Sequence, residues 1–231
     1  MKKLTAAKRK PQNAGQRTIL ILDDHPMMRE GLMRLIGEET DLLVGAQAEN
    51  AHQALDAIAA CRPDLVLADI SLPDKNGLEF IKDVQVMHPG LAVLVISMHD
   101  ETIYAERVLR AGGRGYIMKQ EGGKKIMEAI RQVLSGKIYV SEAMSARILE
   151  TLSVKNPSSS TSPIEQLTDR EFEVFQLIGQ GKGTKEIASH LHISVKTVEV
   201  HRANIKGKLK IATAPELIRH AVRWTDSRNP S

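Results

Sequence analysis

Short apolar runs punctuate the first 120 residues, and most of them end in a polar residue. Thr18–Leu22 runs into Asp23 and Asp24, Leu65–Ala68 into Asp69, Leu91–Ile96 into Ser97, and Gly115–Met118 into Lys119. A weaker run covers Leu42–Gln47. Runs that are apolar on both faces predict strands of a parallel sheet covered on both sides. Between them, residues 27–37, 50–60, 77–87, 102–111 and 124–135 repeat their apolar positions at helical spacing. Five such βα units predict an α/β domain with a doubly wound, five-stranded parallel sheet.

The pattern changes after residue 150. Thr151–Pro163 is rich in Ser, Thr and Pro, has little to bury, and reads as a flexible linker. Beyond it the chain is helical throughout. Thr168 and Glu171 form a capping-box pattern ahead of the stripe Phe172, Phe175, Leu177 and Ile178. Gly181 and Gly183 end that helix, and Thr184–Leu191 gives a second. A tight turn at His192–Ser194 leads to a third at Val195–Lys210, and Ala214–Trp224 forms a fourth. Two short helices around a brief turn, the second of them basic, predict a helix-turn-helix within an all-α, four-helix domain. Val198, Ile205 and Leu209 give the third helix an inward face; Lys196, Glu199, Val200, Ala203 and Lys206 lie opposite. Five Lys/Arg and one Glu between residues 196 and 210 suit a DNA major groove, where cations meet phosphates and the first turns meet base edges. RNA fits less well, because no aromatic side chain lies on that face to stack on bases.

Composition and charge sharpen this division. The 231 residues are 42% hydrophobic and 26% charged, which excludes a wholly disordered chain. Residues 1–17 carry six Lys/Arg and no acid, residues 18–150 carry 14 Lys/Arg against 20 Asp/Glu, and residues 165–231 carry 11 against 8. An acidic unit followed by a basic one implies different partners for each. Cys61 is the single cysteine, so an intramolecular disulfide is excluded and a cytoplasmic location is expected. No apolar run approaches the roughly 20 residues that span a bilayer, so no membrane partner is expected. Residues 1–16 form a basic tail without the apolar core of a secretory signal, and are expected to be disordered.

In a doubly wound sheet, ligands bind beyond the carboxyl ends of the strands. Asp23, Asp24, Asp69, Ser97 and Lys119 each follow a strand and should converge on that rim. Three carboxylates packed together repel unless a cation compensates them. Mg²⁺, a hard ion that binds through one or two carboxylates while keeping several waters, meets that need. A carboxylate beside such an ion can attack phosphorus, and a lysine and a hydroxyl can stabilise the transferred oxygens. No Gly-x-x-x-x-Gly-Lys loop is present, so the phosphoryl donor is not expected to be a nucleotide held by this chain. A simpler alternative makes Asp23 and Asp24 caps of the helix that starts at Pro26. His25 and His99 flank the rim and read as surface or loop residues.

The Asp23–Asp24 pair, Asp69 in Leu-Ala-Asp-Ile-Ser-Leu-Pro-Asp-Lys-Asn-Gly, Ser97, and Gly115-Tyr-Ile-Met-Lys119 together resemble the receiver domain of two-component response regulators, a flavodoxin-like fold. Leu167-Thr-Asp-Arg-Glu, Lys185-Glu-Ile-Ala and Ser194-Val-Lys-Thr-Val-Glu-Val-His-Arg-Ala-Asn-Ile-Lys-Gly-Lys-Leu resemble the LuxR-type DNA-binding domain. In this order the two resemble the NarL/FixJ family, which is not a family of enzymes. The resemblance implies a receiver at 17–136, a connecting helix and linker at 137–164, and a DNA-binding domain at 165–226. It implies Asp69 as phosphoacceptor from a histidine kinase, with Lys119 and Ser97 on the phosphoryl group and Tyr116 as a switch. Asp23, Asp24, Asp69 and the backbone carbonyl of Ser71 would hold Mg²⁺. Glu199, Val200 and Ala203 would meet bases of double-stranded DNA; Lys185, Lys196, Thr197, Arg202, Lys206 and Lys208 would meet phosphates. A homodimer on DNA is expected, with Ile218, Ala221 and Val222 as its apolar candidates, although these could equally be internal core. Two positions depart from the family pattern: Gln120 follows Lys119 where proline is common, and Gly207 stands where a basic residue is expected.

Overall fold

The structure, a computed structural model, describes residues 15–153, 163–191 and 193–226. The expected disorder of the basic tail and the central part of the linker therefore fall outside the described residues, apart from Gly15 and Gln16. The chain divides into two compact units. The first runs to Met98 and resumes over Val108–Val140; the second comprises His99–Arg107 and the chain from Ser141 onward.

The first unit alternates strand and helix as expected: β1 Arg17–Leu22, α1 Pro26–Gly37, β2 Leu42–Ala48, α2 Ala51–Cys61, β3 Leu65–Ala68, α3 Gly77–Met87, β4 Ala92–Ser97, then α4 Glu101–Arg110, β5 Gly115–Met118 and α5 Gly122–Leu134. Helix α4 is shared, its residues up to Arg107 grouping with the second unit. All strand pairs are parallel, in the order β2-β1-β3-β4-β5. Apolar residues on both faces make this possible, because helices cover both sides. Ile19, Ile21, Leu67 and Ile96 pack on one face against Leu32, Ile36, Ile126 and Ile130, all essentially inaccessible to solvent. Each such side chain contributes about 1.5–3 kcal/mol of burial free energy.

Register decides where the polar residues go. Leu22 lies beside Ala48 and Ala68, Ala68 beside Val95, and Ser97 beside Met118. The residues that follow these positions therefore emerge along one edge of the sheet.

Two glycines hold close approaches that a side chain would break. A Cβ on Gly77, the first residue of α3, would lie 2.6 Å from both the Cα and the carbonyl oxygen of Ile70. A backbone neighbour cannot swing away, so Gly77→Ala is expected to cost about 1–3 kcal/mol. Urea unfolding of the wild type and the variant measures that difference. Gly115 meets Tyr139, whose carbonyl oxygen would lie 2.6 Å from an added Cβ. Here the chain after α5 runs beside β5: Tyr116 N–H donates to the Tyr139 carbonyl at 2.9 Å, and Tyr139 N–H to that of Arg114 at 3.0 Å. The first unit therefore continues past residue 136, the boundary expected from sequence, to Val140.

The second unit contains α6 Glu142–Ser153, α7 Asp169–Gly179, α8 Thr184–His190, α9 Val195–Leu209 and α10 Ala214–Asp226. The capping box of Thr168 and Glu171 forms as expected, and Phe172, Phe175, Leu177 and Ile178 are all buried. Trp224, the single tryptophan, packs edge-on against Phe172 and Phe175, with ring centroids 5.5 and 5.7 Å away. Within this unit Tyr104 also stacks edge-on against Phe172 at 5.6 Å.

Candidate functional site

The rim forms as the register requires. Asp23 is fully buried, Asp69 is 3% exposed and Ser97 is fully buried. The Lys119 ammonium reaches between two of the acids, 2.7 Å from Asp23 Oδ2 and 2.8 Å from Asp69 Oδ2. Burial raises the Asp69 carboxyl above its ordinary range, outweighing the Lys119 and Ser71 N–H contacts that favour its charge. Burial opposes the charge on Lys119, but hydrogen bonds to Asp23 and Asp69 outweigh it and raise the ammonium. The site is thus built to hold ionised groups at an energetic cost, as functional sites commonly are.

One ligand atom each from Asp23, Asp24, His25 and Asp69 lies within 4.8 Å of the others. A set dominated by hard carboxylate oxygens suits a divalent cation. Asp24 is the more open acid, its side chain 36% exposed. Neither acid occupies the cap of α1: His25 is the N-cap residue, and its N–H donates to Asp23 Oδ1 at 2.9 Å. His25, expected to be a plain surface residue, places Nδ1 2.6 Å from Asp24 Oδ1. Ser71 follows Asp69 closely and donates its N–H to Asp69 Oδ1 at 3.2 Å. Tyr116 is fully buried on β5. The peptide between Lys119 and Gln120 is trans.

Sequence reasoning missed several residues that hold this rim. Asp74, in the loop after Asp69, accepts hydrogen bonds from Ala51 N–H at 2.9 Å and His52 N–H at 3.1 Å, at the start of α2. A carboxylate there also complements the positive end of the helix. Asn76 caps α3 through Leu78 N–H at 2.8 Å, and Ser71 pairs with Asn76 in an isolated bridge. The loop carrying Asp69 is thereby fixed at several points. Arg29 on α1 is 8% exposed, within the apolar stripe of Leu32 and Ile36. An arginine in such a stripe was the one visible signal for these residues.

In the second unit Val198, Ile205 and Leu209 face inward, as expected. Ser194 caps α9 by accepting from Thr197 N–H at 3.0 Å, and its hydroxyl also meets Thr197 Oγ1 at 2.7 Å. Lys185, Lys196, Glu199, Val200 and Ala203 are exposed, and Lys206 is half-buried. Val200 is an exposed apolar side chain, 52% accessible. A Cβ on Gly207 would meet nothing within 4 Å, so the missing side chain there leaves open space on α9. Arg202 is half-buried and donates to Thr184 Oγ1 at 3.2 Å.

Lys208, expected on a DNA phosphate, also has a partner within the unit. Its Nζ lies 2.6 Å from Glu171 Oε2, whose side chain is 5% exposed, so it is engaged inside the unit and ties α9 to α7. A carboxylate buried this deeply needs a cation, which explains why the lysine turns inward. Of the apolar candidates on α10, Ala221 is fully buried in the unit, Val222 is half-buried, and Ile218 is 42% exposed.

Burial acts on Glu171 to raise its carboxyl, but Lys208 and the Thr168 N–H and hydroxyl outweigh it and hold the group below its ordinary value. A depressed acid contributes stability above its unfolded pKa, about 4.3 for Glu, and loses it as pH falls through the folded value. Acid unfolding of the second unit, followed by Trp224 fluorescence, is therefore expected to lose part of its steepness below that pH in Glu171→Gln.

Comparison with known proteins places these sites in context. Residues 19–131 match the family model of the response regulator receiver domain, and residues 165–221 match that of bacterial regulatory proteins of the luxR family. The oxygen regulatory protein NreC of Staphylococcus aureus is 34% identical over 209 residues, covering 89% of this chain and 96% of NreC. A two-component response regulator of the LuxR family from Aurantimonas sp. SI85-9A1 superposes with a TM-score of 0.56 at 29% identity, covering 60% of this chain and 99% of that one. RcsB from Salmonella enterica serovar Typhimurium, bound to promoter rprA in the presence of phosphomimetic BeF3−, shares the fold with a TM-score of 0.65 at 21% identity, covering 90% of this chain and 98% of that one. With both domains matched in order, this chain belongs to the NarL/FixJ family of two-component response regulators: a DNA-binding transcription factor with a receiver domain, and not an enzyme.

Proposed function

We propose that Asp69 is the phosphoacceptor and that its phosphorylation controls DNA binding through α9. The observation that carries this reading is the rim itself, where Lys119 bridges buried Asp23 and Asp69 at 2.7 and 2.8 Å. A carboxylate oxygen of Asp69 forms a bond to phosphorus while the phosphorus–nitrogen bond of a histidine kinase's phosphohistidine breaks. The imidazole nitrogen leaves with the electron pair and takes up a proton, and an acyl phosphate remains. Lys119 pairs with the transferred oxygens, and the Ser97 hydroxyl hydrogen-bonds them. Asp23, Asp24, Asp69 and the Ser71 carbonyl would hold Mg²⁺, and such an ion would supply charge neutralisation to the phosphoryl oxygens.

The new acyl phosphate carries roughly two negative charges beside Ser97 where the carboxylate carried one, and brings new acceptor oxygens. Ser97 moves toward it, and Tyr116 follows from the neighbouring strand. The output is DNA binding, with Glu199, Val200 and Ala203 on base edges and Lys185, Lys196, Thr197, Arg202, Lys206 and Lys208 on phosphates. Exposed Ile218 serves a homodimer on DNA. The setting is cytoplasmic; among the described residues no helix is long and apolar enough to cross a membrane.

Intact-mass analysis after incubation with acetyl phosphate tests the first half of this reading. A single added phosphoryl group that maps to Asp69, and that does not form when divalent ions are chelated beforehand, supports it. Modification elsewhere, or none, overturns it.

A further inference from the structure

We propose that Arg29 is the positioning residue that sets the divalent-ion affinity of the Asp23–Asp24 pair. This rests on the reading of the rim as a metal-assisted phosphoacceptor site. Arg29 donates from Nη1 to the backbone carbonyl of Asp23 at 2.7 Å and from Nη2 to Glu49 Oε1 at 2.6 Å. Its side chain is 10% exposed, while that of Glu49 is 59% exposed. A buried guanidinium thus spans the ends of two adjacent strands, β1 and β2, from a helix that packs on both.

The position of that carbonyl matters. It belongs to the peptide group joining Asp23 to Asp24, which is planar, so fixing its oxygen fixes the plane between the two acids. The other polar groups of Asp23 are also held. Its N–H donates to Ala48 at 3.2 Å, Oδ1 accepts from His25 N–H at 2.9 Å, and Oδ2 meets Lys119 at 2.7 Å. Those contacts locate Asp23 alone. The Arg29 bond also sets how Asp24, the open acid, is presented beside it. Arginine suits the task because its planar fork reaches two acceptors at once, which a lysine ammonium on a flexible stem does not. Glu49 holds the far end of the fork and compensates its charge.

Partners that orient metal-binding groups commonly contribute about 10–100-fold to ion affinity. Mg²⁺ demands near-ideal octahedral geometry, whereas Ca²⁺ accepts flexible coordination. A misplaced carboxylate therefore weakens Mg²⁺ more than Ca²⁺, whereas general loosening of the fold weakens both.

The test is competition of Mg²⁺ and Ca²⁺ against Mn²⁺ in the full chain, with free Mn²⁺ read by electron paramagnetic resonance. Arg29→Lys is compared with wild type and with Arg34→Lys, a control on the same helix whose side chain is 86% exposed. The expected result is about a tenfold or greater loss of Mg²⁺ affinity in Arg29→Lys, a much smaller loss for Ca²⁺, and no change in Arg34→Lys. Should Arg29→Lys fail to fold, Glu49→Ala frees one end of the fork and is expected to show the same selective loss, in smaller degree. Unchanged Mg²⁺ affinity, or equal losses for both ions with a lowered melting temperature in metal-free buffer, overturns the inference. A wild type that binds none of the three ions overturns the metal reading of the rim as well, and that arm alone reveals it.

Discussion

Asp69→Asn is expected to abolish phosphoryl acceptance while leaving the fold as stable as the wild type, or more so. The amide has no charged oxygen to attack phosphorus and is a poorer ligand for a hard cation. The stability expectation follows from the raised carboxyl of Asp69. A group whose folded pKa is raised contributes most to stability below its unfolded value, and that contribution is lost as pH rises through the folded one. At neutral pH the ionised Asp69 therefore weighs against the folded state, and a neutral isostere relieves this. Lys119 keeps Asp23 as its partner at 2.7 Å in the variant. Phosphoryl incorporation measured by intact mass, beside thermal unfolding at pH 7, checks both halves. Such a divergence between function and stability is usual where a site is held for chemistry.

Joint replacement of Lys196 and Lys206 by Ala is expected to weaken DNA binding across all sequences and to flatten its salt dependence. Lys196 is exposed and Lys206 half-buried on α9, both outside the face of Val198 and Ile205, which are fully buried. Each lost phosphate contact removes about 0.9 from the slope of log K against log salt, so the pair removes about 1.8 per bound chain. Glu199→Ala, in contrast, is expected to alter which bases are preferred and to leave that slope nearly unchanged, because base contacts specify and phosphate contacts position. Anisotropy titrations of a selected duplex and a scrambled one, over a range of salt, separate the two effects. Lys208→Ala is expected to act on the fold as well: with its ammonium on Glu171, its loss is expected to lower the stability of the second unit.

Much of this was legible in the sequence because it depends on local pattern. Apolar runs ending in Asp23, Asp69, Ser97 and Lys119 identify strand ends, and a parallel sheet brings strand ends to one edge. The inward face of α9 follows from helical spacing alone. Pairings between distant positions were not legible. Periodicity says which face of a helix is buried, but not what a polar residue on that face will meet. Arg29 finds a carbonyl on the β1 rim and a carboxylate twenty positions further along the chain. Asp74 caps a helix that begins 23 residues before it. Lys208 looks like its basic neighbours until α7 brings Glu171 to it. The pairing of Tyr139 with β5 was hidden for a similar reason, since it runs through backbone groups that carry no signature in the side-chain pattern.

Phosphorylation of Asp69 is expected to control DNA binding by the second unit. Fluorescence anisotropy of a selected duplex, at fixed salt and with Mg²⁺, tests it most directly when wild type and Asp69→Asn are each titrated with and without acetyl phosphate. Tighter binding by the wild type upon addition of the donor, with no response from the variant, is the expected result. Equal binding by both proteins, with or without the donor, would contradict it.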